Sequence, residues 1–197
     1  MELKHSETAK NLMRAFAGES QARNRYTFAA DTAKKQKLHV IEAVFTFTAH
    51  QERSHAKLFY DFLQDLEGEE LCVDGAYPVN LSNDVMTLLQ QAADNENHEH
   101  SDVYARFAKT AYDEGFANVG AAFEMVANIE RSHAERFSTF LELMRQDKLF
   151  VSDISCGWMC LNCGHVFEGT HVPEICPVCK HDRGFFIRLC LAPYVNN

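Results

Sequence analysis

A five-residue segment, Glu-Arg-Ser-His-Ala, occurs twice in this chain, at residues 52–56 and 130–134, which is an offset of 78. The similarity extends upstream at the same offset, since Tyr26 corresponds to Tyr104. An offset of this length covers two helices and not one. The repeat therefore predicts that residues 1–150 consist of two similar pairs of helices.

Apolar residues around each copy of the segment recur at intervals of three or four, the spacing of one face of an α-helix. In both copies a Glu and a His, three residues apart, lie inside the apolar stripe. One further segment in each half has the same spacing, again with glutamates on the apolar face. We predict four helices, at roughly 6–35, 38–66, 82–113 and 116–147, with Ser82 as the N-cap of the third.

The connections between these helices predict how they assemble. The first and last connections are only a few residues long, so each joins an antiparallel pair. The middle connection, residues 67–81, contains Gly68, Gly75 and Pro78. Extended, it reaches about 50 Å, whereas a helix of some 27 residues is about 40 Å long. It can run back along the bundle, which predicts a mainly α, ferritin-like four-helix fold with one long crossover.

Glutamates on the apolar faces indicate a metal site at the centre of the bundle. A carboxylate in an apolar core is costly unless it takes a proton or binds a cation. One Glu from each of two helices, with Glu-x-x-His from each of the other two, is typical of di-iron carboxylate bundles. The matching residues are Glu19 and Glu96 as single glutamates, with Glu52/His55 and Glu130/His133 as the paired motifs. The alternative is that these residues form solvated helix faces and bind no metal, but two identical copies of the motif argue against it.

Glu99 breaks the symmetry between the two halves. It lies three residues after Glu96, and no glutamate follows Glu19 at that spacing. The spacing from Glu19 to Tyr26 is seven, and that from Glu96 to Tyr104 is eight. Because a π-type turn accommodates an additional residue and is frequent at functional sites, we predict one near Glu99. Both tyrosines are candidate hydrogen-bond donors to the carboxylates, with core packing as their alternative role.

Four of the seven cysteines predict a second metal site, in residues 151–197. They form two C-x2-C pairs separated by twelve residues, Cys160 with Cys163 and Cys176 with Cys179. Four thiolates suit tetrahedral coordination of zinc or of a single iron, and the metal would hold this small segment folded. We therefore expect a second domain after residue 150. A purely structural zinc ribbon is the alternative, and the remaining cysteines have no predicted role.

Composition excludes several classes of function. The chain has 19 basic and 28 acidic side chains, a net charge of -9, which argues against a nucleic-acid partner. No apolar run approaches about 18 residues, so we expect no membrane span. The first residues are polar and lack the apolar region of a secretory signal. An odd number of cysteines then argues against a disulfide framework, and we expect a cytoplasmic protein.

Together these motifs resemble the rubrerythrin family along essentially the whole chain. The resemblance is carried by residues 17–26 (AGESQARNRY), Glu52-x-x-His55, Glu96-x-x-Glu99, Glu130-x-x-His133, Trp158-x-Cys160-x-x-Cys163-Gly164 and Cys176-Pro177-x-Cys179. It implies a ferritin-like di-iron domain followed by a small, β-rich, rubredoxin-like domain with iron, not zinc, on its cysteines. The chain departs from free-standing rubredoxins in its shorter spacer and in Lys180, where those proteins usually have Gly. These departures concern the reduction potential and donor docking, not the ligation.

The resemblance also implies an activity and its residues. An iron pair, oxo-bridged when oxidised, would be bound by Glu19, Glu52, Glu96, Glu99, Glu130, His133 and an exchangeable His55. The reduced pair would convert hydrogen peroxide to water in oxidative-stress defence, and the cysteine-bound iron would return electrons from rubredoxin or an NAD(P)H-dependent reductase. Two ferrous ions match four carboxylates and two ferric ions favour a fifth, so we expect Glu99 to replace His55 on oxidation. Glu99, His55, Tyr26 and Tyr104 are the candidate catalytic residues.

Helix length adds an expectation about assembly. The cysteine domain follows a helix about 45 Å long, while the carboxylates lie near the middle of the bundle. The cysteine site and the carboxylates of one chain are therefore too far apart for electron transfer between them. A head-to-tail homodimer, as in the family, would bring one chain's cysteine site close to its partner's carboxylates. The alternative functions are a ferroxidase or iron-storage protein of the ferritin kind and a non-enzymatic scaffold with zinc in the cysteine site.

Overall fold

The computed structural model describes residues 2–193, in which a helical bundle precedes a three-stranded sheet. The helices are α1 (Glu7–Lys35), α2 (His39–Asp61), α3 (Val85–His98), α4 (Tyr104–Asp113) and α5 (Ala117–Arg145). A π-helical segment, Glu99–Val103, continues α3 into α4, so these elements form one long helix. The predicted mainly helical, ferritin-like class is confirmed. Between residues 2 and 193, every helix is too short or too polar to cross a membrane.

Two predicted helix ends were wrong. The N-cap of α3 is Asp84, whose carboxylate accepts a hydrogen bond from the Thr87 amide at 2.8 Å. Ser82 lies one turn outside the helix, where its hydroxyl accepts from the Asp84 amide. The predicted N-cap was wrong because the Asp84 carboxylate already accepts the helix's free N–H group. The second helix ends at Asp61 and not at residue 66, with a 3-10 turn over Gln64–Leu66.

The long connection between α2 and α3 runs along the side of α1. Four side-chain contacts follow α1 from its start to its end: Lys4 with Glu69, Arg14 with Asp74, Arg25 with Asn80, and Gln36 with the carbonyl of Asn83. The connection therefore returns the chain to the end of the bundle where α1 finishes. It leaves α1 and α2 as one antiparallel pair and the long third helix with α5 as the other.

The core of the bundle is divided into two apolar clusters. One cluster includes Tyr26, Phe45 and Phe137, and it extends toward the turn between α1 and α2. The other includes Phe59 and Phe123 near the opposite end. The four phenylalanines are completely buried. The repeat pairs Phe45 with Phe123 and Phe59 with Phe137, so the two members of each pair lie in different clusters. Because the repeat exchanges the two clusters, the space between them lies on the internal pseudo-symmetry of the chain.

The sheet contains β1 (Val151–Cys160), β2 (Val166–His171) and β3 (Phe186–Arg188) in the antiparallel order β2-β1-β3. Its small core surrounds Trp158, which is fully buried and donates a hydrogen bond to the Gly169 carbonyl at 2.9 Å. A sheet of this size buries little apolar surface, so it depends on additional links. The cysteine site, described below, is one such link, and the contact with the bundle is another.

The sheet contacts the bundle at the turn between α1 and α2. The His39 ring stacks on Phe185, with 3.9 Å between the ring centroids. Beside it, Gly184 packs directly under the Lys37 carbonyl, where an added Cβ would lie 1.9 Å from the carbonyl oxygen. Lys37 itself has a positive φ of 58°, which closes the tight turn. Only a glycine permits this approach of two backbones.

Replacing Gly184 by alanine is therefore expected to destabilise the sheet and its contact with α2. The required backbone shift corresponds to roughly 1–3 kcal/mol of overpacking. Guanidinium unfolding, followed by the fluorescence of the single Trp158, measures this loss. Gly169→Ala is the matched control, since its Cβ would lie 3.5 Å or more from its neighbours. Equal midpoints for the two variants would contradict the expectation.

Candidate metal centres

Six of the predicted ligands lie at one level of the bundle, between the two apolar clusters. They are Glu19 from α1, Glu52 and His55 from α2, Glu96 from α3, and Glu130 and His133 from α5. All six are buried, and the most accessible, His55, is only 7% exposed. The helical spacing of three residues places both members of each Glu-x-x-His motif on the inward face.

The six side chains form two overlapping groups, each with ligand atoms within 4.8 Å of one another. The Nδ1 atom of His55 lies 3.0 Å from Oε2 of Glu52 and 3.0 Å from Oε1 of Glu130. The Nδ1 atom of His133 lies 3.0 Å from the other oxygen of Glu52 and 2.8 Å from the other oxygen of Glu130. These two glutamates thus present one oxygen to each group, as bridging carboxylates do. Glu19 belongs to the first group alone and Glu96 to the second.

The unpaired atoms of this centre fit a pair of cations. Although the imidazole nitrogens and carboxylate oxygens lie close together, several buried atoms make no hydrogen bond of suitable geometry: Glu19 Oε2, Glu52 Oε1, Glu96 Oε2, both oxygens of Glu130 and His133 Nδ1. Each such atom costs about 1–3 kcal/mol when it is left unsatisfied. Carboxylate oxygens with imidazole nitrogens suit iron and related divalent metals, and four carboxylates balance two divalent ions. This donor set fits the di-iron carboxylate site predicted from the sequence.

Without metal, the histidines are the cations of the centre. Burial by itself would lower the pKa of His133, but contacts with Glu130, Glu52 and Glu96 raise it to about 11. The same balance raises the pKa of His55 far above its ordinary value. Burial by itself would raise the pKa of Glu52, but the hydrogen bonds from His133 and His55 lower it to about 2. Metal binding must therefore displace protons from both rings.

Two tyrosines connect the helix pairs across the centre. Tyr26 of α1 donates its hydroxyl to Oε1 of Glu96, and Tyr104 of α4 donates to Oε1 of Glu19. Both tyrosines are 2% exposed. Burial, followed by the neighbouring carboxylates, raises the pKa of each hydroxyl, so both remain donors. The predicted hydrogen bonds to the carboxylates are present in the structure.

The predicted π-type turn is confirmed at Glu99–Val103. It accommodates the additional residue between Glu96 and Tyr104. Because of that insertion, Tyr104 occupies the same place relative to Glu19 that Tyr26 occupies relative to Glu96. The irregular turn therefore preserves the symmetry of the tyrosine contacts in spite of unequal spacing in the sequence.

Glu99 lies outside both groups of ligand atoms. It lines a cavity of about 730 Å³ between α1, the π segment and the crossover, together with Gly18, Tyr77 and Tyr104. Burial, then the charge of Glu96, raises its pKa well above the ordinary value. The role of Glu99 as a metal ligand stays a prediction, and the structure shows His55 in the centre instead.

Gln51, Thr48 and Arg136 were not identified from the sequence as part of this centre. Oε1 of Gln51 lies 3.1 Å from Nε2 of His133, on the side of the ring away from the carboxylates. Arg136 donates from Nη1 to Gln51 at 2.9 Å and to Thr48 at 2.8 Å. The signal that could have found them is the set of positions at which the two repeats differ.

The second predicted site gathers the four cysteine sulfurs, again within 4.8 Å of one another. Cys160 and Cys179 are 3.8 Å apart, as are Cys163 and Cys176. The amide of His181, followed by further hydrogen bonds, lowers the pKa of Cys179 to about 5 in spite of burial. Cys179 is thus prepared to supply a thiolate, whereas burial raises the pKa of Cys160 to about 12, so a tetrahedral metal bound by all four sulfurs must displace the proton of Cys160.

Matching turns follow the two cysteine pairs. The Gly164 amide donates to the Cys160 carbonyl, and the Lys180 amide donates to the Cys176 carbonyl. Both turn residues have positive φ angles, 75° for Gly164 and 65° for Lys180. Lys180 therefore adopts the conformation that glycine adopts in the first turn, so its identity does not alter the ligation geometry. Cys156 lies outside the cluster, with its sulfur 3.8 Å from Arg188.

Comparison with known proteins connects both sites to one group of proteins. The family model described as Rubrerythrin matches residues 10–141, and the one described as Rubrerythrin, rubredoxin-like domain matches residues 158–187. Rubrerythrin-1 of Clostridium acetobutylicum is 46% identical over 186 residues, covering 93% of this chain and 95% of the relative. Rubrerythrin of Nitratidesulfovibrio vulgaris is 40% identical, with the same coverage of both chains.

Solved structures agree with these sequence matches. Fully reduced, all-ferrous nigerythrin has a TM-score of 0.62 at 30% identity, covering 92% of this chain and 86% of its own. Bacterioferritin BfrA of Mycobacterium tuberculosis has a TM-score of 0.61 at 17% identity, covering 73% of this chain and 87% of its own. This second similarity shows the bundle fold alone.

Metal binding in the bundle is expected to release protons and to strengthen as pH rises. Each histidine must lose its Nδ1 proton, and the pKa of His133 is about 11. At neutral pH the pair of ions should therefore displace at least these two protons, and affinity should rise about tenfold per pH unit for each. Calorimetric zinc titrations in buffers of different ionisation enthalpy, with the cysteine site already loaded, count these protons. Release of less than one proton would contradict the expectation.

Substituting Cys179 by serine is expected to remove the metal from the second site. Three remaining thiolates bind more weakly, and the small sheet loses a link on which its folding depends. Metal analysis should show one ion fewer per chain, and an iron-loaded sample should lose its ferric-thiolate colour. Cys190→Ser is the matched control, because Cys190 is exposed and outside the cluster. A coloured Cys179→Ser variant with full metal content would exclude this assignment.

Proposed function

Because the chain belongs to the rubrerythrin family, we propose that it is a peroxidase that reduces hydrogen peroxide to water in oxidative-stress defence. The observation that supports this most strongly is the pair of ligand groups that share Glu52 and Glu130. When bound there, an iron pair supplies the two electrons that cleave the O–O bond. The di-iron carboxylate site and the four-cysteine site both fit this family.

The chain's own residues hold the reacting centre in place. Glu52 and Glu130 each face both ligand groups, so they fix the separation of two ions. Tyr26 holds the outer carboxylate of Glu96, and Tyr104 holds that of Glu19. The apolar clusters above and below exclude water from this level of the bundle. The cavity beside Glu99 is the proposed route for a molecule as small as peroxide.

Glu99 and His55 exchange places in this proposal. With two ferrous ions bound, four carboxylates would balance their +4 charge, and neutral His55 would supply a further ligand. In the structure His55 lies within the ligand groups, and Glu99 lies outside both of them. Two ferric ions would carry two further positive charges, so the Glu99 carboxylate would join the ligands and His55 would leave them. Crystal structures of both redox states test the exchange, and identical ligands in the two would exclude it.

Electrons enter through the cysteine site from rubredoxin or from an NAD(P)H-dependent reductase. The sheet contacts α2 at His39, and Glu52 lies 13 residues further along, which is about 20 Å of helix. We propose that a head-to-tail homodimer shortens this path by placing one chain's cysteine site at its partner's bundle. The outward faces of α2 and α5 carry exposed apolar side chains suited to such a contact, including Phe47 and Met125.

The proposal places the chain in the cytoplasm, where thiols remain reduced. The seven cysteines are unpaired with one another in the structure. It also assigns the two activities to separate parts, with peroxide reduction in residues 1–150 and electron entry in residues 151–197. This division stays a prediction.

Peroxide consumption by the reduced, iron-loaded protein is the direct test. We expect peroxide to be consumed faster than oxygen, and Glu99→Gln to lower turnover by about tenfold or more. Glu135→Gln, on the exposed face of α5, is the matched control and should retain full turnover. Faster consumption of oxygen with accumulation of mineralised iron would favour the ferroxidase alternative. Full activity of a monomer at high dilution would exclude the dimer.

A further inference from the structure

The two histidines of the bundle centre have different surroundings on the side away from the carboxylates. Nε2 of His133 contacts Oε1 of Gln51 at 3.1 Å. Among residues 2–193, the hydrogen bond found for the His55 ring is through Nδ1, to Glu52. The His55 side chain is 9% exposed, whereas that of His133 is 0% exposed. One ring is thus held from both sides, and the other from one side only.

Arg136 determines which way these hydrogen bonds run. A guanidinium has donors and no acceptor, so the Gln51 atom 2.9 Å from Nη1 of Arg136 must be the amide oxygen. That oxygen can only accept from His133, which places a proton on Nε2. The lone pair for a metal then lies on Nδ1, the atom that faces Glu52 and Glu130. The contact with Arg136 thus fixes both the orientation of the Gln51 amide and the tautomer of the His133 ring.

Arg136 is itself held in place by two further contacts. Its Nη1 also donates to the Thr48 hydroxyl at 2.8 Å, and Thr48 donates to the carbonyl of Val44 at 3.0 Å. The guanidinium lies over the ring of Phe47, 5.1 Å from its centroid. The three polar side chains therefore form a connected network that ends on His133.

The corresponding network is missing from the other half of the repeat. At the offset of 78, Thr48 corresponds to Val126, Gln51 to Ile129, and Arg136 to Leu58. None of these apolar side chains can accept or donate a hydrogen bond. Ile129 and Leu58 are each 38% exposed, so they lie at the surface and do not enclose the His55 ring. The ligand motifs are repeated, but the support behind one histidine is not.

We propose that Thr48, Gln51 and Arg136 are positioning residues that make His133 a permanent Nδ1 ligand, while the apolar residues at 126, 129 and 58 leave His55 free to move. The first half of this proposal concerns metal binding and does not depend on the reaction. The second half rests on the proposed exchange of Glu99 with His55. A metal that does not change its redox state can therefore test the network separately from the peroxidase activity.

The experiment uses the full chain loaded with zinc, observed by ¹H–¹⁵N spectroscopy of the imidazole groups. In the wild type we expect one slowly exchanging Nε2 proton, assigned to His133. Gln51→Leu should abolish that signal and weaken zinc binding by the bundle about 10–100-fold. Gln51→Glu keeps an acceptor beside Arg136 and should restore both. Ile129→Leu, an apolar change at the position that corresponds to Gln51 in the other repeat, should alter neither the proton signal nor the zinc affinity.

A second variant tests the positioning role even when Gln51→Leu does not fold. It adds the supporting side chains behind His55, at the positions that correspond to Gln51 and Arg136 in the other repeat. Leu58→Arg with Ile129→Gln places the missing network behind His55, at two positions that are partly exposed. This double variant should show a second protected Nε2 proton. In the iron-loaded form it should also retain His55 as a ligand after oxidation.

The outcomes separate the two halves of the proposal. A persistent His133 proton and unchanged zinc affinity in Gln51→Leu would overturn the positioning role. The absence of a second protected proton in the double variant would overturn it as well. A second proton together with unchanged release of His55 on oxidation would overturn only the link to ligand exchange, and would leave the peroxidase proposal to be judged by its own assay.

Discussion

The burial of several carboxylates in the dry centre of a helix bundle is the constraint on which the rest of this structure depends. Glu52 and Glu130 are almost inaccessible to solvent, and they cannot remain charged there without cations. The two histidines provide positive charge in the absence of metal, and the same atoms are arranged to receive metal. Apolar clusters on both sides strengthen these interactions, because a low dielectric increases attraction between opposite charges.

Much of the fold and centre could be predicted because the repeat is exact where chemistry requires it. The Glu-x-x-His motifs and the one-residue difference before Tyr104 led to the ligands and to the π segment. The N-cap of α3 was missed because Ser82 and Asp84 are both good capping residues, and only local geometry chooses between them. Gln51 and Arg136 were missed because they lie at positions where the two repeats differ, outside the repeated motifs, and they contact each other only across two packed helices.

The two centres are encoded in the sequence in different ways. The cysteine site is built from two short turns, and its ligands could be identified from spacing alone. The bundle centre gathers residues from 19 to 133 on separate helices, so its geometry depends on the packing of the whole bundle. The contact between the parts combines the stacking of His39 on Phe185, the close backbone approach at Gly184, and Ile187, which is buried in the apolar cluster of the bundle.

The π segment makes the two sides of the bundle centre different. It lies at the seam between α1 and the long third helix, with Glu99 and the cavity. The network of Gln51 and Arg136 lies at the seam between α2 and α5, on the opposite side. A centre whose ligands obey twofold symmetry thus has a front and a back. A cavity lies beside Glu99 at the front, whereas hydrogen bonds hold His133 in place at the back.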